Sequence, residues 1–333
     1  MKQLRQWIVG LVIAIAALVG VISVQAQTPT QATDELTLAV AGLNVEEVAD
    51  GVYTFLASTD FPPAEPATTA ICNATVVIGS DGALIVDPFQ NEALTELLFE
   101  SVTWLTNKPI RYVVNTHYHF DHSGGNAAVA AAGYAILGRG PIREFMLENN
   151  LDLDPNATPP NLVLNGDGEV WLGDRRVQLA EFEGHSGGTD LIVYVPDADV
   201  LIAGDLAFTE RIPYVGDGNI RLWQANLEQL ATQYSTATIV PGHGPISDRT
   251  DLEQLQGYLE YLEALALAWQ AEGLSQEDAI AQTTIAPEYA NYLFQGLFTN
   301  GLETAYQQIT LGQEDAAAMR AYFAVQPPEL QAL

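Results

Sequence analysis

The chain has 333 residues, with 12 Lys and Arg against 42 Asp and Glu, five His and one Cys, and a formal net charge of −30. Hydrophobic residues make up 48% and charged residues only 16%, a globular composition long enough for one large domain or two modest ones. Such acidity repels a phosphate backbone and anionic lipid, which opposes a nucleic-acid or membrane-surface role, and one Cys builds neither an internal disulfide nor a Cys-rich zinc site.

Lys2 and Arg5 precede an uncharged apolar run from Trp7 to Ser23, and Val24-Gln25-Ala26 places small residues where a signal peptidase cuts. The pattern predicts a secretory signal over 1–26, cleaved rather than kept as a membrane anchor, because the run is short for a span. Without Lys2 and Arg5, ten basic residues face 42 acidic ones, a charge of −32. The mature protein is expected to be periplasmic or secreted, with no stable membrane insertion after cleavage. Residues 27–35 read as a flexible polar leader.

From Leu36 the chain reads as short strands: LTLAVAGL, GVYTFLAS, ATVVIGS and ALIVDP, with a hairpin turn at Ser80-Asp81-Gly82. Residues 91–105 read as a helix and IRYVVNT as a buried strand. GGNAAVAAAG and PIREFMLENN read as short helices, and 150–163 as a Pro- and Asn-rich loop. A second strand run follows in EVWLG, RRVQLAEFEG, DLIVYVP and DVLIAGD. A helix over 224–236 then leads to the strand TATIVPG. From 248 onward the pattern is helical, opening with a long amphipathic stretch, DLEQLQGYLEYLEALALAWQAEG. Two strand-rich halves with interspersed helices predict an α/β layered fold.

All five His fall in three glycine-flanked segments: THYHFDHSGGN with His117, His119 and His122, EGHSGGTD with His185, and VPGHGP with His243. Each follows a predicted strand. Residues two apart on an extended backbone point the same way, which suits His117 and His119. Asp121 and His122 come just after. Four potential ligands within six residues point to a metal centre rather than to scattered polar side chains.

At these residues the chain resembles the metallo-β-lactamase-fold superfamily. HYHFDH carries the H-x-H-x-D-H signature in full, and GHSGGT and PGHGP match the later histidine segments, in order, over about 40–250. The resemblance implies a four-layer αββα sandwich over 36–250, with 251–333 as a helical C-terminal extension packed on it. It implies one metal position of His117, His119 and His185 and another of Asp121, His122 and His243. Asp205, in LIAGDLAF, would bridge them. Imidazole and carboxylate suit Zn²⁺ and also Fe or Mn. Two Zn²⁺ are expected, because no redox partner motif accompanies the site. The implied activity is hydrolysis of an ester, lactone, thioester or amide by a metal-bridging hydroxide. Asp121 would hold that hydroxide and take its proton as the catalytic residue. Two divalent ions, two Asp and a hydroxide leave a local charge of about +1, so the small-molecule substrate can be anionic.

Departures narrow the resemblance. The cysteine-ligand β-lactamases have Cys where this chain has Asp205, and the other β-lactamase type usually lacks that Asp. Flavodiiron proteins carry Glu where His119 stands. Glyoxalase II and persulfide dioxygenases share GD-L-x-F but not the glycine and arginine stretch that follows. GDLAFTERIPYVGDGNIRLW looks like the secreted metallohydrolases similar to SoxH and the quinoprotein-relay zinc metallohydrolases. Two alternatives stay open: a mononuclear iron persulfide dioxygenase, or a non-enzymatic metal-binding accessory protein of a periplasmic oxidation pathway. Arg211 and Tyr214 are candidate substrate residues, Arg211 either for a substrate carboxylate or for a neighbouring acidic side chain. Trp223 and Cys72 read as core. The C-terminal helices read as a packing element, or as the face of a homodimer.

Overall fold

The computed structural model describes residues 36–151 and 153–313, so the expected signal and leader, and the last part of the extension, lie outside the described residues. Among the described residues, twelve strands form two sheets. The first takes seven strands in sequence order: β1 (Leu43–Ala49), β2 (Val52–Ala57), β3 (Ala74–Ile78), β4 (Ala83–Val86), β5 (Ile110–Val114), β6 (Ala135–Arg139) and β7 (Leu162–Leu164). The second takes five, β8 (Gly168–Leu172), β9 (Arg175–Glu181), β10 (Leu191–Val195), β11 (Val200–Phe208) and β12 (Thr238–His243), in reverse order across the sheet. Pairing is antiparallel except from β4 to β7 and between β11 and β12.

The apolar runs of the central strands are explained by burial on both faces. Along β4, Leu84 and Val86 point into the core between the sheets, whereas Ala83 and Ile85 join the core under helix α1 (Glu92–Leu105). Along β11, Val200 and Ile202 face the other sheet. Leu201 and Ala203 face the core under α5 (Ile220–Gln233) and α6 (Arg249–Glu272). The period-two alternation thus builds helix, sheet, sheet and helix as four layers. Between α1 and α5 lie the short helices α2 (Phe120–Ser123), α3 (Asn126–Ala131) and α4 (Ile142–Phe145). The C-terminal part adds α7 (Gln276–Gln282) and α8 (Phe298–Ala305), whose Ala279, Leu302 and Ala305 join the same core as α5 and β11. No helix of the described residues is long and apolar enough to cross a membrane.

Four local expectations are corrected. LTLAVAGL is not a strand: Leu38–Gly42 is a turn, tied by Leu43 N–H donating to Leu38 O at 2.8 Å, with Leu36 and Leu38 packed on the core. The strand is the acidic LNVEEVA that follows, at a sheet edge where exposed Glu46 and Glu47 discourage pairing with another chain. The helix placed at 224–236 runs from Ile220 to Gln233, because the Asn219 side chain caps Leu222 N–H. PIREFMLENN passes from one α-helical turn into a π-helical one, Met146–Asn150, and Leu162–Leu164 of the expected loop pairs with β6.

Candidate metal centre

Ligand candidates gather where strand ends of both sheets meet. The segment after β5 carries His117 and His119, α2 carries Asp121 and His122, the loop after β9 carries His185, β11 carries Asp205 and β12 ends on His243. His117, His119, His185 and Asp205 present donor atoms all within 4.8 Å of one another, and so do Asp121, His122 and His243. In the first group His117 Nε2 lies 3.0 Å from His119 Nδ1 and 3.7 Å from Asp205 Oδ2, which is also 3.7 Å from His185 Nε2. In the second, Asp121 Oδ2 lies 3.4 Å from His122 Nε2 and 3.3 Å from His243 Nε2. The Asp205 carboxylate joins the groups, with Oδ1 3.0 Å from His122 Nε2 and Oδ2 3.3 Å from His243 Nε2.

These spacings fit metal ions. Donors at about 2.0–2.1 Å from a tetrahedral zinc stand about 3.3 Å from each other. Both nitrogens of His185 and Oδ1 of Asp205 are buried without a hydrogen bond, an arrangement that costs free energy unless a ligand takes the orphaned atoms. Oxygen and neutral imidazole donors suit a divalent cation of the zinc type.

Four of the five imidazoles are oriented from behind by a hydrogen bond, so that the other nitrogen faces the centre. His117 Nδ1 meets Thr116 Oγ1 at 3.0 Å, and the Thr116 hydroxyl in turn donates to Asp87 at 2.7 Å. His119 Nε2 meets Asp217 at 3.0 Å, and the Tyr118 hydroxyl donates to the same carboxylate oxygen. His122 Nδ1 meets Asp87 at 2.8 Å, and His243 Nδ1 meets Ile71 O at 3.1 Å. For His185 the partner is Asp190, at 3.8 Å; one Asp190 oxygen also accepts the N–H groups of Gly184, His185 and Ser186, which fixes the loop. Asn73 pins the His243 loop by donating to Pro241 O and Gly244 O, both at 2.9 Å. Gly242 is required by space: a Cβ there would stand 1.9 Å from Asp205 Oδ1.

Charge follows the same plan. Burial drives the His117 imidazole well below its usual pKa, with the neighbouring His122 adding to the effect, and so keeps it neutral. Burial opposes protonation of His243 too, but the Asp205 and Asp121 carboxylates outweigh it and lift the group to about 9. His122 is raised well above its usual value in the same way, chiefly by Asp205. Against burial, His122 and His243 hold both carboxylates well below the usual range.

The other expected residues divide. Tyr214 is half-buried, with its ring 5.5 Å from that of His119 and 6.4 Å from that of His185. Arg211 touches none of the seven. It donates to Glu210 O at 3.2 Å and its guanidinium lies 5.7 Å from the Phe294 ring centroid. Among the described residues no carboxylate lies within ion-pair distance of Arg211. Trp223 is fully buried and backs His185 at 5.1 Å. Cys72 is buried beneath the centre, its thiol donating to Asp121 O at 3.0 Å, and burial pushes it up to about 12. It is therefore a core thiol.

A family model described as the metallo-beta-lactamase superfamily matches residues 67–243, more than half of the chain and all seven candidate ligands. The chain belongs to this superfamily. A metallo-beta-lactamase type 2 of Bacteroides fragilis is 21% identical over 227 residues, covering 67% of this chain and 85% of its own length. The probable metallo-hydrolase YqgX of Bacillus subtilis (strain 168) is 28% identical over 196 residues, covering 53% of this chain and 86% of its own. Among solved structures, a metallo-beta-lactamase from Pontibacter korlensis aligns with a TM-score of 0.54 at 23% identity, covering 66% of this chain and 99% of that one. That likeness concerns the fold. The matched segment of this superfamily member ends at His243, so α6, α7 and α8 lie beyond it.

Asp87, Asp190, Asp217 and Thr116 back the candidate ligands, and sequence reasoning passed them over. Asp217 stands between two glycines and Asp87 before a proline, where an Asp has ordinary turn and capping uses. Asp217→Asn is expected to weaken metal at the first position about 10- to 100-fold without unfolding, as read by chelator competition.

Proposed function

We propose that this protein is an extracytoplasmic hydrolase that uses two divalent cations, zinc by preference, to cleave an ester, lactone, thioester or amide. The observation that carries the reading is the pair of ligand clusters joined by one buried carboxylate, Asp205, with the imidazoles oriented from behind. Ions held there would polarise a carbonyl and lower the pKa of a water molecule to about 7. The chain's own residues do the rest. His117, His119 and His185 would offer ring nitrogens on one side, and on the other His122 and His243 would offer theirs beside the Asp121 carboxylate. The Asp121 carboxylate, in the second cluster, would hold the attacking water by a hydrogen bond and take its proton. Tyr214 borders the first cluster and shapes the approach of the substrate. The N-terminal charge and hydropathy pattern supports export, and the acidic surface supports a small-molecule rather than a polyanionic substrate.

The test is a panel of 4-nitrophenyl esters, lactones, thioesters and amides with the full chain, before and after dialysis against a chelator. Hydrolysis of at least one class, lost on dialysis and restored by Zn²⁺, is the expected result. Hydrolysis that survives complete metal removal contradicts the proposal, as does a metal-replete protein inert to all four classes.

A further inference from the structure

His243 is held differently from the other four histidines. Its ring stacks on Phe208 at 4.9 Å with 18° between the planes, and on its other contact meets Phe294 at 5.3 Å and 69°. Phe208 belongs to β11, inside the family-matched segment, whereas Phe294 comes from the chain between α7 and α8, beyond it. Phe294 is only 2% exposed and has a left-handed backbone, φ 65° and ψ 29°, which a non-glycine residue adopts at a cost that its surroundings must impose.

Phe294 N–H donates to Asp60 Oδ1 at 2.7 Å, an oxygen that also accepts from Phe61 N–H at 2.8 Å. The Phe61 ring lies 5.7 Å from that of Phe294, and the Arg211 guanidinium lies 5.7 Å from the same ring centroid. One residue earlier, Leu293 exchanges backbone hydrogen bonds with the strand extension after β11: Leu293 N–H donates to Glu210 O at 3.1 Å and Ile212 N–H donates to Leu293 O at 2.9 Å. The extension is thus stitched on one side to the chain after β11, within the matched segment, and on the other to Asp60, which precedes it, and the ring between rests on a ligand candidate. This also accounts for Arg211, which braces Phe294 instead of reaching the centre.

We infer that the C-terminal extension completes the second metal position, with Phe294 as a positioning residue that holds His243 against Asp121 and His122. The inference rests on the two-position reading above. Among the described residues no ring of the extension rests on a first-position ligand: His117, His119 and His185 are backed by Thr116, Asp217 and Asp190, all within the matched segment, and the extension reaches that side only through Asn300 and Gln308, which hold the backbone on either side of Asp217.

The experiment is a Zn²⁺ titration of the full chain against a competing chromophoric chelator, for wild type, Phe294→Gly, Asp60→Ala and Asp60→Asn. Glycine removes the ring and accepts the left-handed backbone without strain. Asp60 is an exposed residue that touches no ligand, so its variants test the same link without disturbing the core. Wild type is expected to take up two ions. In Phe294→Gly one of the two steps falls at least about tenfold while the other stays within about threefold. Asp60→Ala shifts the same step by a smaller factor, and Asp60→Asn, which keeps the acceptor, restores it. Wild type with two ions and both Phe294→Gly and Asp60→Ala with unchanged affinities overturns this inference alone. Equal weakening of both steps in a folded variant overturns it too. Wild type taking up fewer than two ions overturns the two-position reading itself.

Discussion

Asp205→Asn is expected to remove both metal positions at once and to lower hydrolysis by at least about a hundredfold, the loss that even an outer partner of a ligand reaches. Among the described residues, Asp205 is the one side chain whose two oxygens approach imidazoles of both clusters, His117 and His185 on one side and His122 and His243 on the other. An amide offers one weakly basic oxygen in place of two charged ones, so neither side keeps an anionic donor of its own from β11. Size is nearly unchanged. The layered cores that hold the fold do not include Asp205, so the metal-free variant should keep its far-ultraviolet circular dichroism. The measurement is elemental analysis beside the hydrolysis rate. A variant with two ions and wild-type turnover would show that Asp205 does not bridge.

His119→Ala is expected to act on one side only. Its side chain is 13% exposed, so truncation opens no sealed cavity. Its Nδ1 is the nearest partner of His117 Nε2, and its loss leaves Asp217 and the Tyr118 hydroxyl paired with each other. Metal affinity at the first position should fall about a hundredfold, equivalent to about 2.7 kcal/mol, while Asp121, His122 and His243 keep the second ion. Hydrolysis should be lost with the first ion. The stoichiometry therefore separates the two variants: one ion per chain in His119→Ala at limiting metal, none in Asp205→Asn. Full activity in His119→Ala would remove the ligand assignment.

The ligand cluster was legible because chemistry imposed local patterns on the chain. Four donors packed into HYHFDH, and later histidines set among glycines, have few uses other than a shared centre. Strands were legible where one residue faces the inter-sheet core and the next faces a helix, as in ALIV and VLIA. The first strand was not, because an edge strand carries charge where a central one carries Val and Ile, and the alternating LTLAVAGL packs its leucines from a turn. The carboxylates behind the histidines were hidden for another reason. Asp87 and Asp217 become outer partners only when distant parts of the chain converge, and a lone Asp beside Pro or Gly carries no mark of that; Asp190 lies only five residues after His185, but an Asp just before a strand has ordinary turn uses. Phe294 is the extreme case: 51 residues separate it from His243, and only the folded packing of the extension brings the rings together.

The central claim, a two-ion centre built from these seven side chains, is tested most directly by the metal content of the full chain purified from zinc-supplied cells without chelator. Two ions per chain, falling in Asp205→Asn to none, is the result the geometry predicts. A wild-type protein that hydrolyses its substrate fully with no metal, or that holds the same metal content when Asp205 is changed, would contradict it.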